Sequence, residues 1–127
     1  MAGKQERPTE SEVEILSVLW TQGPATVREV HTELQKKRNV GYTTVLKLMQ
    51  IMFEKELLLR DESQRSHIYR PRQKAEKTQK TIIKHMLSRV FSGSVEDLVV
   101  QALSAKKATP DELAKIRRML DELEDQE

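Results

Sequence analysis

The chain has 127 residues, 33% of them charged and 37% hydrophobic, with 4% aromatic residues and a net charge of +2. A chain this short holds one modest domain, or a small domain with an appendage, and so thin a core often needs a second subunit to complete it. The lack of cysteine excludes disulfides and thiolate metal sites, and no apolar run approaches the ~20 residues that span a bilayer; with no basic-then-apolar leader, a cytoplasmic protein is expected.

The first helix is announced by Thr9-Glu10-Ser11-Glu12, a capping box in which the threonine accepts from the third amide and Glu12 reaches back. Val13, Ile15, Leu16, Leu19 and Trp20 follow at helical spacing and read as core. Gly23-Pro24 breaks that helix, and Thr26-Val27-Arg28-Glu29 is a second capping box. Its helix buries Val27, Val30 and Leu34, then runs into Lys36-Lys37-Arg38. After the break at Asn39-Val40-Gly41, a third helix is predicted from about Thr43 to Glu56. Val45, Leu48, Met49, Met52 and Phe53 share one face. Thr43, Lys47, Gln50 and Glu54 lie opposite, flanked by Thr44 and Ile51.

The period then changes. Leu57–Arg60 reads as a strand, Asp61–Arg65 as a polar turn, and Ser66–Arg70 as a second strand stopped by Pro71. A charged stretch without apolar periodicity, Gln73 to Thr78, separates this hairpin from a helical tail. Thr78–Phe91 carries Ile82, Ile83, Met86, Leu87 and Val90, and Gly93 sits where a C-terminal cap belongs. Ser94 caps a short helix with Leu98, Val99, Ala102 and Leu103. Thr109-Pro110-Asp111-Glu112 opens a last one with Leu113, Ile116, Leu120 and Leu123. The fold class expected is mainly α with a small β-hairpin.

Charge is unevenly spread. Five basic residues face one acid between Gln73 and Ser92, whereas nine acids face five bases from Gly93 to Glu127. A basic part with an acidic tail points to nucleic-acid contact at one end and a different task at the other.

Helix, helix, helix, hairpin is the order of a winged helix-turn-helix, whose third helix fits the major groove. Thr43 and Thr44 stand at that helix's N-terminus, where amides and the positive dipole end attract phosphate. Lys47 reaches a phosphate or a guanine edge, and Gln50 carries the donor–acceptor pair that suits adenine. Arg65, with His67 and Arg70 nearby, is offered by the hairpin to the flanking backbone or minor groove, and Arg28 is placed to touch phosphate. Ile51 either meets a thymine methyl or fills the domain's edge. Lys74, Lys77, Lys80, Lys84 and Arg89 either extend the phosphate contacts or face solvent. Glu54 on the same face opposes deep insertion of the helix's C-terminal half.

Catalysis is poorly supported. His31, His67 and His85 lie on three elements without metal-ligand spacing, and four glycines form no phosphate loop. There is no nucleophile elbow and no cysteine nucleophile, and no cofactor is expected.

Leu19-Trp20, Gly23-Pro24-Ala25-Thr26-Val27-Arg28-Glu29-Val30, Tyr42-Thr43-Thr44-Val45, Glu54-Lys55 and the hairpin from Arg65 to Tyr69 with Pro71 together strongly resemble the penicillinase-repressor (BlaI/MecI) family. The resemblance covers nearly the whole chain. It implies a homodimer on a palindromic operator, with a winged-helix DNA-binding domain at 1–74 and a helical dimerisation domain at 75–127. It implies dimer contacts through Ile82, Ile83, Met86, Leu98, Val99, Leu103, Leu113, Ile116 and Leu120. In the β-lactam-responsive members it also implies release when a membrane sensor-protease system triggers cleavage of the dimerisation domain, here near Gln101-Ala102.

The sequence departs from the family pattern in places. Glu56 stands where glycine is usual after Lys55. Lys47 and Ile51 stand where the antibiotic-responsive members have Thr and Arg. Gln101-Ala102 replaces an Asn-Phe pair, and the cysteines of the copper-responsive branch are absent. Two alternatives stay open: a self-contained three-helix tail, and a winged-helix protein-interaction module without DNA binding.

Overall fold

The computed structural model describes residues 7–126; positions 1–6 and 127 of the expected domains lie outside the described residues. The elements are α1 (Glu10–Gln22), α2 (Val27–Gln35), α3 (Tyr42–Glu54), β1 (Leu58–Asp61), β2 (Ile68–Pro71), α4 (Ala75–Arg89), α5 (Val95–Ala105) and α6 (Pro110–Asp125). Three helices followed by a two-stranded antiparallel hairpin form a winged helix-turn-helix, and three more helices follow. Two compact units result, Met1–Lys84 and His85–Glu127.

In the first unit, Thr9 caps α1 and Thr26 caps α2, each by a reciprocal capping box with the glutamate three residues on. Gly23, at φ 93°, ends α1 in a conformation that disfavours any side chain. The chain leaves it so that Ala25 exchanges backbone hydrogen bonds with Tyr69 of β2, at 3.0 and 2.8 Å. The segment between α1 and α2 thus adds a one-residue third strand to the wing, which makes the hairpin part of the domain rather than a free flap.

The core is built from one stripe of each element: Ile15, Leu16 and Leu19 of α1, Val27, Val30 and Leu34 of α2, Val45, Met49 and Met52 of α3, with Ala25, Val40, Leu58 and Tyr69. Leu48 and Phe53 pack against it half-buried. Trp20, expected within the core, lies at its margin instead. Its indole N–H donates to the Gln73 carbonyl at 2.9 Å, a polar partner the ring could not have from inside an apolar layer.

Boundaries differ from expectation in four places. α3 starts at Tyr42, one residue early, because Gly41 takes the extended cap conformation, and it ends at Glu54. β1 is shifted by one residue, to Leu58–Asp61. β2 starts at Ile68 and includes Pro71, which pairs opposite Leu58. At a strand's last residue the missing N–H costs no ladder bond. α4 starts at Ala75, so most of the charged stretch after the hairpin is helical, and Thr78 is buried.

In the second unit, α5 and α6 are capped by Ser94 and by the Thr109–Glu112 capping box, yet neither buries a residue fully. Val99, Leu103, Met119, Leu120 and Leu123 are each more than 40% exposed.

Candidate nucleic-acid interface

α3 presents its polar face outward. Thr43, Thr44, Lys47 and Gln50 are all exposed, while Val45, Met49 and Met52 on the opposite face are buried, so the helix is anchored by one side and free on the other. Its N-terminus differs from those of four other helices. α1, α2, α5 and α6 each have a side-chain oxygen bonded to a first-turn amide, whereas Gly41 supplies none to α3. The first-turn N–H groups beside Thr43 and Thr44 therefore lack a side-chain acceptor. With the helix dipole they form a place where an anion is stabilised.

A cleft of about 270 Å³ opens between the start of α2, α3 and the wing. Arg28, Gln50, Arg65 and His67 line it together, although they come from three separate parts of the chain. Arg28 is exposed at the second position of α2, and its guanidinium lies 5.3 Å from the centre of the Tyr42 ring. The His31 ring meets the same tyrosine edge-on at 5.8 Å, and His31 Nε2 is 2.8 Å from the Val40 carbonyl, to which it donates. The carbonyl can only accept, so this nitrogen carries the proton. The segment entering α3 and the basic residue beside it are thus tied to one aromatic ring.

The wing adds the second wall. The Asp61 carboxylate accepts from the Ser63 amide at 2.9 Å and shapes the turn. That amide first, then the Ser63 hydroxyl and the charge of His67, hold the carboxyl below its ordinary pKa. Arg65 is exposed and His67 half-buried. Arg60, which sequence reasoning assigned only to a strand, also lines the cleft. Its guanidinium lies 3.9 Å from the centre of the Phe53 ring and 5.9 Å from that of Tyr69, and its Nε donates to Glu62 at 2.7 Å. The Tyr69 hydroxyl foremost, then Glu62, push its pKa further up. Tyr42 is the other residue missed. A tyrosine opening a helix resembles a core residue until its exposure, 37%, is known.

Glu54 is exposed on α3, one turn beyond Gln50. Glu56 has left the helix face. It occupies the turn after α3 at φ 66°, and its carbonyl accepts from Arg72 Nε at 2.9 Å. Among the described residues no group of carboxylates and histidines could hold a metal ion, and no helix is long and apolar enough to cross a membrane.

A model of the penicillinase repressor family matches residues 8–122. The chain belongs to the penicillinase repressor family. A penicillinase repressor of Staphylococcus aureus is 22% identical over 123 residues, covering 97% of this chain and 98% of that protein. The transcriptional regulator BlaI of Mycobacterium tuberculosis is 31% identical over 112 residues, covering 87% of this chain and 80% of its own. As a penicillinase-repressor homologue, the chain is a transcriptional repressor and not an enzyme. The family match runs through both the winged helix and the tail.

Proposed function

We propose that the chain represses transcription as a homodimer on a palindromic operator, with α3 in the major groove and the wing on the flanking backbone or minor groove. The observation that carries this reading is the placement of Arg28, Gln50, Arg65 and His67 around one cleft beside the uncapped start of α3. In this reading Thr43, Thr44 and Arg28 contact phosphates. Lys47 takes a phosphate or guanine edge, Gln50 reads adenine, and Arg65 and His67 touch the flank.

The second copy is argued from the tail. Residues 75–127 are proposed as the dimerisation domain and 1–74 as the DNA-binding domain. Of the residues assigned to the interface, Ile83, Met86, Val99, Leu103 and Leu120 are exposed in the single chain, and Ile82, Leu98, Leu113 and Ile116 are half-buried. A second subunit gives this apolar surface somewhere to go. Two recognition helices then face major grooves about 34 Å apart, or a multiple of it.

Release is proposed to follow proteolysis of the tail near Gln101-Ala102, triggered through a membrane sensor-protease system. Both residues are exposed but helical, within α5. Cleavage there requires that turn to open first.

Binding of the purified protein to the DNA beside its own gene, by mobility shift at two salt concentrations with sizing of the complex, tests the reading. A salt-sensitive, sequence-specific complex of two chains supports it. Weak, sequence-independent binding would favour the alternative, a winged-helix protein-interaction module, for which the exposed Glu54 is the one favourable feature.

A further inference from the structure

We propose that Arg60 is a positioning residue that fixes the wing against the recognition helix through its stack on Phe53, and thereby sets how much the flanking DNA adds to operator affinity. The inference rests on the operator reading above.

The backbone puts Arg60 in an unusual place. It lies two residues after the buried Leu58 on the same face of β1, directly opposite the buried Tyr69 of β2. That is the face turned towards the core, where an apolar residue would be expected. Its side chain is 20% exposed, far less than a surface arginine on a hairpin. The guanidinium instead covers Phe53, the penultimate residue of α3, at 3.9 Å. One planar group therefore spans the recognition helix and both strands of the wing.

Outward of this layer the hairpin carries no buried side chain: residues 62–66 are all exposed. Beyond the level of the Ala25–Tyr69 pairing only two strands remain, and two strands alone hold their position poorly. The proposed flank contacts, Arg65 and His67, sit at or beyond that layer. Their reach relative to Gln50 depends on what ties the hairpin to α3 at its last anchored level. Cation–π contact between a guanidinium and a ring is suited to this, because the planar group stacks as well as attracts, which an ammonium does not. Glu62 already pairs with Arg60, so the arginine acts without needing a phosphate of its own.

The test compares the wild type with Arg60→Lys and Phe53→Leu on two DNA duplexes. One is the operator with its flanks, the other is trimmed to the two major-groove half-sites. The wild type is expected to bind about tenfold more weakly on trimming, the scale of one region of the interface. Each variant should weaken less than about threefold on the same trimming. Arg60→Lys keeps the charge and removes the planar stack; Phe53→Leu keeps the arginine and removes its platform. A merely destabilising change would lower affinity for both duplexes equally and leave their ratio at the wild-type value, which would overturn the proposal. So would a wild-type ratio in Phe53→Leu beside a reduced ratio in Arg60→Lys, the sign that the arginine acts on DNA directly and not through the ring. Amide exchange of residues 66–70 without DNA is the second measurement. Faster exchange in both variants supports the role, and unchanged exchange overturns it. Failure of the wild type to bind either duplex would instead bring down the operator reading itself, and the positioning role with it.

Discussion

Lys55 Nζ lies 2.8 Å from Glu12 Oε2 and 3.0 Å from Oε1, joining the end of α3 to the start of α1. Glu12 is 3% exposed, and its Oε1 also accepts from the Thr9 amide at 2.9 Å. One carboxylate therefore closes a helix cap and seats the end of α3. A buried charge that loses its partner is costly, whereas replacing the whole pair by apolar residues often is not. Lys55→Met is expected to destabilise the protein by about 3 kcal/mol, read as a fall in the urea midpoint at constant slope. Lys55→Met with Glu12→Leu should recover part of that loss. An unchanged midpoint in the single variant would show that water already satisfies Glu12.

Glu56 gives a prediction of opposite sign. α3 closes in a Schellman arrangement, with Leu57 N–H donating to the Met52 carbonyl at 2.9 Å and Glu56 N–H to Phe53 at 3.1 Å. That geometry needs a left-handed residue, and Glu56 supplies it at φ 66°, where a side chain is strained by roughly 1 kcal/mol. Glu56→Gly is expected to stabilise the domain by about 0.5–1 kcal/mol, despite losing the 4.0 Å approach to Arg72. Thermal unfolding checks this; a lower midpoint would mean that the Arg72 interactions outweigh the strain.

The residues proposed for the DNA interface separate into two kinds. Lys47→Ala with Arg65→Ala should weaken binding to all DNA and reduce the salt slope by about 0.9 for each phosphate no longer neutralised. Gln50→Ala should cost about 1–3 kcal/mol on the operator and little elsewhere, relaxing preference at one base pair. Titrations on specific and random duplexes tell the two apart. Full-strength operator binding by the double variant would remove those residues from the interface.

The wing turn has a pH dependence of known sign. Asp61 binds its proton less readily in the fold than in the open chain, because the Ser63 amide and hydroxyl bond the carboxylate. Its contribution is therefore complete at neutral pH and is lost as pH falls through the depressed folded value. The Ser63 amide resonance is expected to stay constant from about pH 5 to 8 and to move only in stronger acid. A transition near neutrality would show that Asp61 does not govern the turn.

Charging the tail tests the dimer. Leu103→Asp and Leu120→Asp each place a carboxylate at an exposed apolar site, 42% and 54% exposed in the single chain. Each is expected to yield a monomer in sedimentation equilibrium, with operator affinity reduced by at least about tenfold for lack of the second half-site. A dimer in both variants would place the interface elsewhere.

Capping boxes at Thr9–Glu12, Thr26–Glu29 and Thr109–Glu112 were legible residue by residue and stand in the structure as hydrogen bonds of 2.8–3.2 Å. Each joins groups three residues apart, so chain identity alone settles them. The buried faces of α1, α2 and α3 were legible for a similar reason: a period of 3.6 puts the apolar residues on one stripe whatever they later meet. The element order followed from these signals, and with it the winged-helix arrangement.

Other features depend on partners distant in the chain. Trp20 went to the core margin because the Gln73 carbonyl, 53 residues away, takes its N–H. The wing gained Ala25 because the chain leaving Gly23 passes beside Tyr69. Arg60 shows the same limit at the candidate site. Alternation along β1 puts it on the Leu58 face, but strand pairing with Tyr69 and the end of α3 at Phe53 turn that position into a cation stacked between helix and wing. Local hydrogen bonds and periodicity act over one turn or one pleat, and these they settled from the amino acids alone. The interactions that tie the wing to the rest of its domain join segments whose meeting is the outcome of folding, so they became visible with the packed chain.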